Sequence, residues 1–362
     1  MRPAVPASAP SYDATLSRRS ELVRLDDPAP SRSARLAVAL LVAAAAAAYA
    51  THVAHAEPGY TSDFDQIWAA ARALGRGTSP YQEIGPGRHF EYEFPFFYPL
   101  PAVILSWPLA WLPLVAARAA FCAVTTGLLA WAVTRESWAR LPLFASMGFV
   151  HCVVLVQWSP LLIAATLLPA LGGVLLAKPN LGLALAAARL TDPRPGAPRR
   201  WAAAAIAGGT ALLGASFAAW PSWTAEWLAN IHSASHVSAP LLRAGGPLLL
   251  LAALRWRQPE ARLLLALACT PQTPIVVEAL PLFLVTRSTR EALWLAIFSY
   301  VAYIGGGLTW DGRTTSSYFH AAGIASVVAL YLPCLVIVLR RPNRGPVPAW
   351  ADRLAAKVAG KP

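Results

Sequence analysis

Charge is scarce in this chain. Asp, Glu, Lys and Arg make up 13% of its 362 residues and apolar residues 56%, whereas a soluble domain carries roughly 25% charged residues. That scarcity excludes an ordinary soluble domain and points to a polytopic membrane protein. Lysine is scarcer still, with Lys178, Lys357 and Lys361 alone. The four cysteines, Cys122, Cys152, Cys269 and Cys334, stand singly in apolar runs without CxxC spacing. This excludes a disulfide framework or zinc site and leaves them as packing residues. There is no nucleotide-binding glycine loop, metal-ligand cluster or internal repeat. No metal or other cofactor is therefore expected, and the repeat signature of many transporters is missing. The net charge of +12 is scattered through short loops and the C-terminal tail, which argues against nucleic acid as a partner.

What the chain does have is long apolar runs. Residues 36–54, "LAVALLVAAAAAAYATHVA", are uncharged, and a membrane-spanning helix needs about 20 such residues. The polar segment before this run is too long for a cleaved signal peptide, so the first span is expected to be retained. Basic loops mark the cytoplasmic side. Residues 1–35 carry six Arg against four acids and are expected inside; residues 55–97 carry six acids against three Arg and are expected outside. Basic clusters recur at Arg194/Arg199/Arg200, Arg255/Arg257/Arg262, Arg287/Arg290 and Arg340/Arg341/Arg344. Apolar segments near 201–219, 241–254, 263–286, 292–308 and 321–339 lie between them, and loops 220–240 and 309–320 carry interfacial Trp and Tyr. Residues 98–113 read as a span or a tilted interfacial helix. Residues 157–190, with "TLLPALGG" inside, read as two half-helices that dip in and return, which needs surrounding protein or a wet cavity.

The expected fold is an all-α polytopic membrane protein with about nine to eleven spans, half-spans included. A single domain over residues 36–340 follows a flexible cytoplasmic segment 1–35 and precedes a cytoplasmic tail 341–362, with residues 55–97 as an external loop. Within that loop, Phe64, Ile67, Trp68, Ala71 and Leu74 recur at helical spacing and predict an amphipathic helix on the membrane surface. Asp63 and Asp65 sit at its start. Ser62-x-x-Asp65 and Asp63-x-x-Gln66 both resemble capping boxes, so Asp63 is either a cap or a carboxylate fixed in direction and suited to act as a base. Asp65 in the first turn is accounted for by the helix dipole. Lys178, in "LLAKPNLGL", is the one lysine inside the apolar body, either a snorkelling residue or a functional cation. If residues 157–190 dip and return, Gln157 emerges on the same side as Lys178. Glu278 is an acid in an apolar run. Glu91, Tyr92 and Glu93 either face a sugar or form solvated loop. His232 with His236, and His52 with His55, have i, i+4 spacing, which alone makes a poor metal site.

"SDF", "WAAARALGRGTSPY", "FFYPLPAVILSWPLAWLP", "VQWSPLL" and "LLAKPN", in that order between residues 60 and 183, resemble the bacterial family 87 glycosyltransferases. These are membrane enzymes of the C-type fold, mannosyltransferase-like, that use polyprenyl-phosphate sugars. The resemblance implies a multi-pass protein of the bacterial inner membrane that moves a mannose- or arabinose-like sugar to a lipid or cell-envelope glycan acceptor. It implies that Asp63 is the catalytic base of the external loop. It also implies that Tyr81 in the closing Pro-Tyr turn, Tyr98 in the Tyr-Pro element, Gln157 and Lys178 bind substrate, with Asp65 and Glu91 as further binding candidates. Three departures stand out: Val156 replaces the Gly before Gln157, Leu100 the second Pro of Tyr-Pro-Pro, and the stretch between Gln157 and Lys178 is shorter than the family pattern leads one to expect. The competing classes are a transporter or flippase of a lipid-linked sugar, a catalytically inactive relative and a structural subunit.

Overall fold

Ser31 opens the first long helix, its hydroxyl accepting the Ala34 N–H at 3.2 Å, and an Ala-, Leu- and Val-rich run carries that helix to Ala56. In the computed structural model this helix, α1 (Arg32–Ala56), packs along α5 (Leu114–Val133). Arg35 Nη2 donates to the Trp131 carbonyl at 2.7 Å and its guanidinium lies over the Trp131 ring, so the start of one helix meets the end of the other. Gly127 lets the two approach, since a Cβ there would lie 3.2 Å from that of Ala43. The structure describes residues 30–345 except 58, 193–195, 235–236 and 274. Most of the expected segments 1–35 and 341–362, and His236, lie outside the described residues.

Between α1 and α5 come α2 (Asp63–Gly75), α3 (Pro80–Glu83), α4 (Leu100–Ser106) and a 3₁₀ turn Trp107–Trp111. After α5 follow a 3₁₀ turn Leu141–Ala145, α6 (Met147–Val154), α7 (Ser159–Leu167), a 3₁₀ helix Pro169–Ala177, α8 (Pro179–Leu190), α9 (Ala197–Ala219) and α10 (Trp223–Ile231). The C-terminal third contains 3₁₀ helices Pro240–Leu242, Gly246–Arg255 and Leu280–Val285 around α11 (Pro259–Cys269). It then runs through α12 (Thr289–Thr309), α13 (Thr315–Ser326), a π turn Val327–Tyr331 and α14 (Leu332–Arg340). No strand occurs among the described residues.

Among the described residues, five helices are long and apolar enough to cross a membrane: α1, α5, α9, α12 and the continuous segment Thr315–Arg340. The fold is thus all-helical and consistent with a polytopic membrane protein. A sixth crossing exists if α6 and α7, bent by 114°, count as one span. The nine to eleven expected included half-spans; the full-length ones among the described residues number five, or six with that bent pair. Residues 98–113, 157–190, 241–254 and 263–286 fold as short pieces, because Pro and pre-Pro residues interrupt them. Thr270, before Pro271, is extended and ends α11. The expected pair of half-helices over 157–190 is instead three pieces, α7, a 3₁₀ helix and α8. Gly182 and Gly173 let them pack: a Cβ on Gly182 would lie 2.2 Å from the Leu175 carbonyl oxygen, and one on Gly173 2.6 Å from the backbone at Gly208.

The helix predicted to lie on the membrane surface is helical, but it is buried on most sides rather than one. Asp65, Gln66, Ala69, Ala70 and Ala73, off the predicted apolar stripe, are buried along with Phe64 and Ile67. Small side chains there admit α4 and α5 against it.

Candidate active site

Two carboxylates start α2, and the fold separates them completely. Ser62 is the N-cap, and Asp65 is its partner: Ser62 N–H donates to Asp65 Oδ2 at 2.8 Å and Ser62 Oγ to Oδ1 at 2.7 Å. Arg118, one turn into α5, closes the other side of Asp65, its Nε donating to Oδ1 at 2.7 Å and its Nη2 to Oδ2. A further N–H of Arg118 reaches the Tyr60 carbonyl at 2.9 Å. Asp65 is 1% and Arg118 6% exposed, so this is a sealed internal ion pair. Asp65 therefore lies away from the cavity described below, where a substrate-binding role would have needed it.

Asp63 is left free of capping and faces the other way. Tyr92 Oη donates to its Oδ1 at 2.6 Å, and Gln157 Nε2 donates to its Oδ2. Gln157 reaches this point because the chain breaks sharply after α6. The Gln157 N–H bonds the Cys152 carbonyl at 2.8 Å and the Val156 N–H that of Val153 at 3.3 Å, a helix stop that places Val156 in the left-handed region at φ 52°. That conformation is easy for glycine and costs a β-branched residue on the order of 1–3 kcal/mol. The departure at Val156 thus falls at the one non-glycine left-handed residue among those described. The Asp63 N–H donates to the Leu155 carbonyl at 3.1 Å and Tyr60 Oη to that of Val154 at 3.3 Å, which pins the start of α2 to this break.

Lys178 ends the 3₁₀ helix and begins α8. Its Nζ donates to Gln157 Oε1 at 3.2 Å, lies 2.7 Å from Glu278 Oε1 and stands 6.0 Å from the Tyr98 ring centroid. Asp63, Gln157, Lys178 and Glu278 thus form one connected polar chain. All four line a cavity of about 770 Å³, together with Tyr92, Tyr98, Asn180 and an aromatic wall that includes Phe94, Phe97, Trp227, Tyr303 and Phe319. Loop 91–97 is tied across the cavity to the start of α13 by a hydrogen bond from Thr315 to Glu93. Among the described lining residues Lys178 is the only Lys or Arg, against the carboxylates of Asp63, Glu93 and Glu278. Burial pushes the Asp63 carboxyl above its ordinary value, although the Tyr92 hydrogen bond and the Lys178 charge pull the other way.

Of the residues singled out by sequence, Asp63, Gln157, Lys178, Glu278 and Tyr98 meet in this cavity, with Tyr92 and Glu93. Asp65, Tyr81 and Glu91 do not. Tyr81 is buried, its Oη donating to the Tyr98 carbonyl at 3.3 Å, so it braces the loop that carries Tyr98. Glu91 is exposed and accepts the Gly87 N–H at 3.0 Å within its own loop. Sequence reading passed over Arg118, the only charge in Leu114–Val133. Tyr92, expected with Glu91 and Glu93 either to face a sugar or to form solvated loop, lines the cavity and bonds Asp63. No cluster of three or more His, Cys, Asp and Glu placed to hold a metal occurs among the described residues. No protein-family model, curated protein or solved structure matches the chain.

Proposed function

We propose that this chain is an integral-membrane glycosyltransferase that moves a mannose- or arabinose-like sugar from a polyprenyl-phosphate donor to a lipid or glycan acceptor at the outer face of the bacterial inner membrane. The observation that carries the reading is the chain from Asp63 through Gln157 to Lys178 at the wall of one cavity. It sets an oriented carboxylate and a cation on opposite sides of a single amide, which is what a displacement at an anomeric carbon needs.

In this reading the acceptor hydroxyl lies against Asp63. As its oxygen attacks the anomeric carbon, its proton passes to the carboxylate. The bond from the anomeric carbon to the phosphate oxygen breaks with its electron pair going to the phosphate, and Lys178 stabilises the charge that develops there. A single displacement inverts the sugar. Tyr92 and Gln157 each donate to one carboxylate oxygen, which fixes the direction of the base and still leaves lone pairs for the incoming proton. A carboxyl with a raised pKa holds that proton better than an exposed one.

The test is transfer itself. Purified protein in lipid nanodiscs, given a short-chain polyprenyl-phosphate sugar labelled in its mannose or arabinose and an alkyl glycoside acceptor, is expected to form the labelled alkyl disaccharide and free polyprenyl phosphate. Folded protein that binds the donor, transfers neither sugar and moves the lipid across a bilayer would instead be a flippase.

A further inference from the structure

Glu278 is held more firmly than the lysine it pairs with. It is 1% exposed, against 13% for Lys178. The Thr273 N–H donates to its Oε2 at 3.1 Å, and Asn180 Nδ2 approaches the same oxygen at 3.5 Å. Its place in the wall is therefore set by groups other than Lys178. The ammonium, with three donors on a flexible stem, can keep its bond to Gln157 and still turn an N–H to the cavity. An anion bound there meets a cation whose charge is already balanced by a fixed carboxylate.

The consequence depends on the charge of the anion. A sugar linked to a lipid phosphate is a phosphodiester with one negative charge. The lipid phosphate left after transfer is a monoester, with close to two at neutral pH. Beside an unpaired lysine the dianion would bind more tightly. Beside a lysine balanced by Glu278, the second charge finds no further cation among the described lining residues and is repelled by the carboxylate. We infer that Glu278 is a specificity residue that makes the cavity favour the lipid phosphodiester over the lipid phosphomonoester, so that the spent carrier leaves. This rests on reading the cavity as a lipid-phosphate sugar site.

Binding of a short-chain polyprenyl phosphate and of its methyl ester, measured by calorimetry in detergent at neutral pH, tests the inference without any turnover. In the wild-type protein the methyl ester is expected to bind at least as tightly as the free phosphate. In Glu278→Gln, which keeps the size of the side chain and removes its charge, the free phosphate is expected to gain about tenfold or more relative to the ester. A wild-type protein that prefers the free phosphate by tenfold, or a ratio unmoved by Glu278→Gln, overturns it. Should the variant fail to accumulate, the wild-type comparison still decides. Sugar transfer with a preference for the free phosphate would defeat this inference alone. The expected preference without any transfer would defeat the transferase reading alone.

Discussion

Two buried ion pairs, only one of them open to a cavity, divide this molecule into scaffold and site. Arg118 and Asp65 satisfy each other and their neighbours Ser62 and Tyr60, with 6% and 1% exposure. Lys178 and Glu278 pair closely too, at 2.7 Å, but the lysine also holds Gln157 and stands at the wall of the cavity. A closed pair can only hold elements together, here α2 against α5. An open pair can exchange partners with a ligand. Charge inside an apolar chain is therefore not by itself a mark of function; the side of the pair left open is.

The largest expected effect separates the two. Arg118→Met leaves Asp65 buried without its cation, and breaking such a pair costs about 3–5 kcal/mol. Thermal unfolding in detergent should show a large loss of stability. Lys178→Met should cost less, because Glu278, 1% exposed behind the ammonium, lines the cavity and gains access to it once that charge is gone, but should abolish most binding of the lipid-phosphate donor; Lys178→Arg should keep part of it. Equal stability losses, or donor binding unchanged in Lys178→Met, would erase the distinction.

A middle-sized effect concerns the open side. Tyr92 donates to the ionised form of Asp63, so Tyr92→Phe removes a force that lowers its pKa and leaves burial, which raises it. Transfer should rise with pH through an apparent pKa above the ordinary carboxylate range. Tyr92→Phe should move that limb further up, so activity falls at low pH and recovers at high pH. A uniform loss at every pH would make Tyr92 a packing residue only.

The smallest effect tests the helix stop between the two sites. Val156→Gly relieves the left-handed strain but removes a buried side chain. These terms oppose each other, and the net change in unfolding free energy should stay within about 1–2 kcal/mol. A much larger loss would mean that Val156 packing, not its backbone, holds Gln157 in place.

Asp63 and Lys178 each carry a local signal in sequence, a carboxylate beside capping residues and a single lysine in an apolar body, whereas Gln157 carries none of its own and was placed by the resemblance and by a dip and return that the fold replaces with three pieces. Glu278 gave the same signal as Lys178, being the only charge between Arg262 and Arg287. Its pairing across the sequence was not visible. Arg118 carried that signal too, and its partner lies 53 residues away. Asp65 shows the opposite failure. Helix position accounts for an acid there, but nothing local reveals that an arginine from another helix closes over it. The membrane character and the helical class were legible from composition, whereas the number of full-length spans was not, since prolines cut apolar runs into pieces whose lengths only packing decides.

Asp63→Asn separates a base from a part of the scaffold most directly. An asparagine can accept from Gln157 and donate to Tyr92 in place of the carboxylate. Because burial raises the Asp63 pKa, ionising it weakens the fold as pH rises from the unfolded to the folded pKa, so the neutral amide should leave thermal stability at neutral pH unchanged or higher. In single-turnover assays with a labelled short-chain polyprenyl-phosphate sugar, Asp63→Asn should bind donor about as well as wild type and transfer at least about a hundredfold more slowly. A well-folded Asp63→Asn protein that transfers sugar at near wild-type rate would contradict a role for Asp63 as the base.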